Sequence, residues 1–396
     1  MHLTSEEERM LAGEEGYAVQ KSMQILAALG EIFGADKTIP ISSAQVAGVS
    51  YYNLGEAGLE YLENLAAKGA KARVKTTLNP AGMDLENWRE LGIDEEFAGK
   101  QERVIGAYVR MGITPSCTCT PYLVGNEPDR GAHIAWSESS AVTYANSIIG
   151  AMTNREGGPS ALAAALTGRT PCYGMHLEEN RKAQTRVRIE AKLATVPDFG
   201  ALGYVVGKKT GPRIPLFEGI GNANVEQLKS LCASIATYGG TALFHIHGKT
   251  PNRTETPAET FAVTRAEIDE ALHALNDETA EVDFVALGCP HCSLDEIKVI
   301  AGLLEGKKVT REFWICTARQ TMKEAEKHGY AQTIRLSGAK LACDTCMAVA
   351  PLRGRFKVLA TDSAKACYYG RGTNDFKTRI GSVEECVSAA VTGKWS

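Results

Sequence analysis

A chain of 396 residues is long enough for two or three packed lobes. With 44% hydrophobic and 23% charged residues it has the composition of an ordinary globular protein. The net charge of -4 offers no basic face, so nucleic acid and anionic membrane are not expected partners.

The acidic N-terminus, MHLTSEEERML, does not read as a secretory leader, and no apolar run approaches the ~20 residues of a membrane span. A cytoplasmic location is expected. Thr4 and Glu7 have capping-box spacing, and apolar residues follow at helical intervals, so 5–33 reads as one or two helices. Thr38–Ala47 reads as a strand, with Gly48, Val49 and Ser50 forming a small-residue turn after it. A helix is predicted over 55–68 and a second strand over 72–78, which ends at Asn79 and Pro80. This strand–helix–strand order is typical of α/β architecture. The alternation returns with strands predicted over 243–247, 282–287, 313–316 and 358–361. Helices are predicted over 223–238, 264–276, 293–304 and 318–329. The fold class is therefore α/β, with several lobes of mixed or parallel sheet flanked by helices. No linker separates the lobes, so 1–396 is treated as one unit of about three interleaved parts, near 1–110, 111–280 and 281–396.

Chemistry-bearing residues fall mainly in the turns after these strands, where open α/β sheets bind ligands. There are eleven cysteines, and six form three groups: Cys117-Thr118-Cys119, Cys289-Pro290-His291-Cys292 and Cys343-Asp344-Thr345-Cys346. In a reducing compartment such groups suggest metal, catalysis or core packing. A zinc ribbon needs a more compact module, and a thioredoxin-like site needs only one C-x-x-C pair. Any single pair is more simply a pair of core thiols. Three pairs on strand-end turns favour an iron–sulfur cluster. A cluster with three protein thiolates keeps one iron open, and a Lewis-acidic iron helps a hydroxide leave.

Glu138, beside Ser139, can contact a substrate hydroxyl or cap the helix that follows. Lys365 and Arg371 follow the predicted strand 358–361 and suit a carboxylate or phosphate, although surface cations are common. The turns at Gly48, Val49 and Ser50 and at Asn79 and Pro80 can offer backbone donors to a phosphate. His245 and His247 share one strand face, where a packing role is the simpler reading.

Seven segments resemble the large catalytic subunits of the aconitase X family. They are SSAQVAGVS (42–50), TTLNPAG (76–82), CTCTPYLVGNEPDRG (117–131), AWSESSAVTYANS (135–147), GCPHCSLDE (288–296), CDTCMA (343–348) and TDSAKACYYGRG (361–372). The resemblance implies an aconitase-superfamily fold and a hydro-lyase holding a cluster, [4Fe–4S] with one open iron, on Cys119, Cys289 and Cys346. Cys117 and Cys343 are the alternates. It implies Glu138, Ser139, Lys365 and Arg371 as catalytic groups. Gly48, Val49, Ser50, Asn79, Pro80 and Lys365 are implied for the substrate, a small anion. Two family activities are in view: dehydration of phosphomevalonate in a mevalonate route to isoprenoids, and dehydration of cis-3-hydroxy-L-proline, with another small hydroxy acid as a further alternative. The small polar turns favour the first. A non-catalytic zinc scaffold is the remaining alternative. The swivel domain expected to close the site has no counterpart here. The resemblance therefore implies a separate small subunit, in a heterodimer or dimer of heterodimers, and a large subunit with little activity alone.

Overall fold

The structure, a computed structural model, describes residues 1–252 and 254–395. Three parallel sheets organise it. The first orders its strands Lys75–Leu78, Ser43–Val46, Ala135–Trp136. The second runs His245–Ile246, Pro215–Glu218, Thr185–Ile189, Thr260–Val263. The third runs Lys340–Cys343, Glu312–Thr317, Phe284–Cys292, Val358–Thr361, Lys377–Ile380. A short antiparallel ribbon pairs Thr38–Pro40 with Arg169–Pro171. The fold is α/β. Among the described residues no helix is long and apolar enough to cross a membrane.

Sequence and structure agree on most elements and differ where the chain bends. The predicted strand 38–47 is two strands, Thr38–Pro40 and Ser43–Val46, in different sheets. The N-terminal helical stretch is two helices, Ser5–Ala12 and Tyr17–Ile32, divided at Gly13 in a left-handed conformation (φ 91°). The Thr4–Glu7 capping box is present. The strand predicted to end at 287 continues in extended form to Cys292, with a shift of register between Leu287 and Cys292.

The third sheet shows why strand parity matters. Its central strands Phe284–Cys292 and Val358–Thr361 are buried on both faces and almost wholly apolar. Val285, Leu287, Phe313, Ile315, Leu341, Cys343 and Ala360 pack to one side. Phe284, Ala286, Trp314, Cys316, Ala342 and Leu359 pack to the other, together with Cys289 and Cys346. Successive side chains point to opposite faces, so neighbours in sequence serve different cores.

The first and third sheets meet at the carboxyl ends of their strands. Asp84 ties them: its Oδ2 accepts the Cys343 N–H at 2.9 Å, and its Oδ1 pairs with Arg319 at 2.5 Å. The Ala81 N–H donates to the Asp344 carbonyl at 2.7 Å, and the Ser50 hydroxyl donates to the Val349 carbonyl at 3.0 Å.

Candidate active site

A cleft of about 240 Å³ opens between these strand ends. Cys119, Cys289 and Cys346 line it, with Glu138, Ser139 and Lys365. Gly48, Val49, Asn79 and Pro80 form the wall from the first sheet. Most of these positions lie a few residues beyond a strand, with Ser139 and Lys365 in the first turns of the helices that follow; Cys289 sits in the irregular end of its own strand, and Cys119 is on the loop after the helix Glu95–Arg110.

The remaining sequence candidates lie elsewhere. Cys117 packs in the core of the first sheet, and Cys343 and Cys292 face the far side of the third. Ser50 is wholly buried and holds Val349 in place. Arg371 is on the outer surface, where its guanidinium bonds the Ala274 carbonyl and Asp277. Helical phase accounts for this. Six residues beyond Lys365 in the helix Ala364–Asn374, Arg371 is turned by roughly 240°, so both cannot face one cleft. His245 is committed to the Arg181 carbonyl at 2.8 Å.

His291 joins the three cysteine loops. Its backbone N–H donates to the Cys119 sulfur at 3.2 Å. Its Nδ1 lies 2.9 Å from the Thr118 hydroxyl and its Nε2 lies 3.0 Å from the Thr345 carbonyl. A carbonyl only accepts, so Nε2 carries the proton and Nδ1 accepts from Thr118. Burial pushes the imidazole down to about 4, which keeps it neutral for this role. The sequence signal was a histidine between two spaced cysteines. Gly288 is equally constrained: at φ 95° a Cβ there would stand 2.1 Å from the Cys316 carbonyl oxygen.

Burial raises all three cleft thiols, Cys119 and Cys346 to about 12, while the Lys365 ammonium pulls each of them partly back. A bound metal would turn such thiols into thiolates outright. Backbone N–H groups of His291 and Ala348 point at the sulfurs of Cys119 and Cys346, the kind of hydrogen bond that tunes a cluster. All three thiols are free of disulfides. Among the described residues no trio of His, Cys, Asp or Glu is grouped to hold one ion. Three thiols from three separate loops, with backbone donors at two of the sulfurs, would suit an iron–sulfur cluster.

Glu138 caps the helix Ser139–Tyr144, accepting from the Ser140 N–H at 3.1 Å and the Ser140 hydroxyl at 2.7 Å. Asn79 Nδ2 donates to it at 3.2 Å, and Lys365 Nζ forms a buried ion pair with it. Burial alone would raise its carboxyl, but the Lys365 charge and these donors outweigh that and hold it down at about 2. Burial opposes the ammonium of Lys365, yet Glu138 keeps it well above the usual lysine range. The helix cap and the cleft-lining acid are thus the same side chain.

Asn53, Tyr369, Thr373 and Arg155 also line the cleft and were not among the sequence candidates. Arg155 lines the cleft, is exposed, and has no ion-pair partner among the described residues.

Comparison with known proteins decides the family. Profiles of the Aconitase X first, second and third domains match residues 1–179, 183–273 and 282–392. The chain belongs to the aconitase X family. The phosphomevalonate dehydratase large subunit of Methanothermobacter thermautotrophicus is 50% identical over 94% of this chain and 94% of its own length. The crystal structure of Thermococcus kodakaraensis aconitase X in its holo form superimposes with a TM-score of 0.92. It is 46% identical, and the match covers 98% of this chain and 100% of that one. The cis-3-hydroxy-L-proline dehydratase of Pseudomonas aeruginosa is 34% identical over 98% of this chain but only 70% of its own length.

Proposed function

We propose that this chain is the large subunit of a phosphomevalonate dehydratase, a hydro-lyase that converts (R)-5-phosphomevalonate into trans-anhydromevalonate 5-phosphate and water. The observation that carries the proposal is the convergence of Cys119, Cys289 and Cys346 on a cleft that also holds the Glu138–Lys365 pair. Four archaeal relatives between 46% and 50% identical bear the name phosphomevalonate dehydratase large subunit. We assign the three thiols to an iron–sulfur cluster, expected as [4Fe–4S] with one iron open. When bound, it supplies the Lewis acidity that lets the tertiary hydroxyl depart.

The chain's own groups then have defined tasks. Lys365 spends one N–H on Glu138 and keeps two for an anionic oxygen of the substrate. Glu138, fixed as a carboxylate, accepts a hydrogen bond from the substrate hydroxyl and orients the C–O bond that breaks. Ser139 offers a second hydroxyl beside it, and Gly48, Val49, Asn79 and Pro80 shape the wall that receives the rest of the molecule. Overall the C2 proton goes to a base, the C3–O bond breaks, and the hydroxide takes up a proton from solvent, so that one water is lost from the substrate. Glu138 is too weak a base at about 2 to take a carbon-bound proton near neutrality. We therefore place the base on a second, small subunit that closes over the cleft. The names of the archaeal relatives support such a partner, as does the longer chain of the Pseudomonas protein. Nucleic acid and membrane have no part in this reading, and the expected location is cytoplasmic.

The test is anaerobic co-purification with a small swivel-domain subunit, followed by parallel assays of both substrates. Release of water from phosphomevalonate by the pair, and not by either chain alone, is the expected result. Turnover of cis-3-hydroxy-L-proline alone would overturn the substrate. Stoichiometric zinc without iron or sulfide would overturn the chemistry.

A further inference from the structure

The cleft contains two cations with different roles. Lys365 is buried and neutralised by Glu138. Arg155 is exposed at the rim and lacks an internal counter-charge among the described residues. An arginine left without an acid beside a cavity is suited to pair with an anion that arrives from solution.

Its neighbourhood indicates which anion. Arg155 follows Asn154 and bridges to Trp136, so it rises beside the strand end that carries Glu138. The turn it opens packs on the Gly48 loop: a Cβ on Gly158 would stand 2.6 Å from the Ala47 carbonyl oxygen. Gly48 is also exposed and has φ 76°, and the loop it belongs to leads into the helix Tyr51–Ala67. Arg155 and the backbone of Gly48 and Val49 therefore share one side of the mouth. The three cysteines, each 6% exposed, lie deeper.

We infer that Arg155 is a specificity-determining residue that pairs with the phosphate of the substrate at the rim of the cleft, while the reacting carbons lie below it. This rests on the reading of the substrate as a phosphorylated hydroxy acid. A phosphate ester takes a bidentate arginine contact, and the backbone donors of the Gly48 loop lie alongside to complete it. The unphosphorylated acid would leave both unused. Because the contact is remote from the bond being broken, it acts on binding and not on the chemical step.

The test uses the cluster-loaded two-subunit enzyme. Arg155→Met should raise KM for (R)-5-phosphomevalonate about tenfold to hundredfold, with kcat changed less than about threefold. Arg155→Lys should fall between it and the parent, because a point charge replaces the fork. Inorganic phosphate as a competitive inhibitor should weaken by a similar factor in Arg155→Met, whereas inhibition by acetate should not change. Unaltered KM and phosphate inhibition would overturn the assignment. So would weakened acetate inhibition with phosphate inhibition intact, which would give Arg155 to the carboxylate. A fall in kcat at constant KM would make it part of the chemistry instead. Arg155 makes no side-chain hydrogen bond to the described residues, so the fold should survive, which a melting curve checks. If the parent enzyme does not turn over phosphomevalonate, the substrate reading fails first, before any variant is compared.

Discussion

Lys365→Met probes the buried pair at the centre of the site. The substitution keeps an unbranched apolar stem, one atom shorter, and removes the charge together with its N–H donors. Glu138 is then left with the Ser140 donors and Asn79, and nothing positive offsets its burial. The fall of its carboxyl from an ordinary 4.5 to about 2 corresponds to about 3 kcal/mol in favour of the charged form. The sign follows from linkage. A carboxyl depressed in the folded state stabilises it above pH 4.5, and the contribution is lost as pH falls toward 2. Removing one partner of a buried pair typically costs about 3–5 kcal/mol, so Lys365→Met should lose at least about 3 kcal/mol at pH 7. The gap from the parent should narrow as pH falls: burial raises the stranded carboxyl, so it takes up a proton before the parent's does, and below pH 4.5 the parent loses its own contribution as well. Urea unfolding followed by tryptophan fluorescence at several pH values measures this. The double variant Lys365→Met/Glu138→Gln removes both charges and should recover most of the lost stability while remaining inactive. A single variant with the parent's urea midpoint, or a double variant no more stable than the single, would refute the reasoning.

Cys119→Ser, Cys289→Ser and Cys346→Ser should each lower iron content and visible charge-transfer absorbance, whereas Cys117→Ser and Cys343→Ser should retain both; elemental analysis after anaerobic purification separates the two sets. His291→Leu removes the partner of the Thr345 carbonyl, at about 1–3 kcal/mol, while the Thr118 hydroxyl keeps Thr120. Its iron should be lost faster in air than the parent's, read as decay of visible absorbance. Gly288→Ala sets a Cβ against the Cys316 carbonyl in a left-handed conformation, so the soluble yield or melting temperature should drop sharply. A Gly288→Ala protein as stable as the parent would contradict the geometry.

Much of the site was legible because it sits where strands stop. Short apolar runs such as 358–361 have one reading, and the polar residues just beyond them mark the cleft. Strand parity also sorts the cysteines: Cys343 ends a strand with its side chain toward one core, while Cys346, past the turn, faces the other. Other features depend on distance in three dimensions. Arg155 sits in a short loop whose sequence has no periodicity, and its bridge to Trp136 and the packing of Gly158 on Ala47 carry it to the mouth. Arg371 misled for the converse reason, because closeness to Lys365 in sequence ignores the turn of the helix between them. His291 lies in the visible motif, but its partners Thr118 and Thr345 come from the other two loops.

The two sheets that form the cleft each supply half of what it does. The first brings Glu138, Asn79 and the Gly48 loop, and the third brings Cys289, Cys346 and Lys365. The buried ion pair therefore spans the junction, with Glu138 from one sheet and Lys365 from the other. Its geometry depends on that junction being rigid, and the structure invests several polar contacts there. Asp84 holds Cys343 and Arg319, Ala81 holds Asp344, Ser50 holds Val349, and His291 holds Thr118 and Thr345. Buried polar contacts of this kind add little net stability when satisfied and cost much when broken, so they specify one arrangement more than they strengthen it. The floor and two walls of the cleft are thereby fixed, and motion is left to whatever closes its mouth. A rigid lower half of this kind suits the proposed reaction, in which substrate would enter a preformed cleft and the base would arrive on a second subunit.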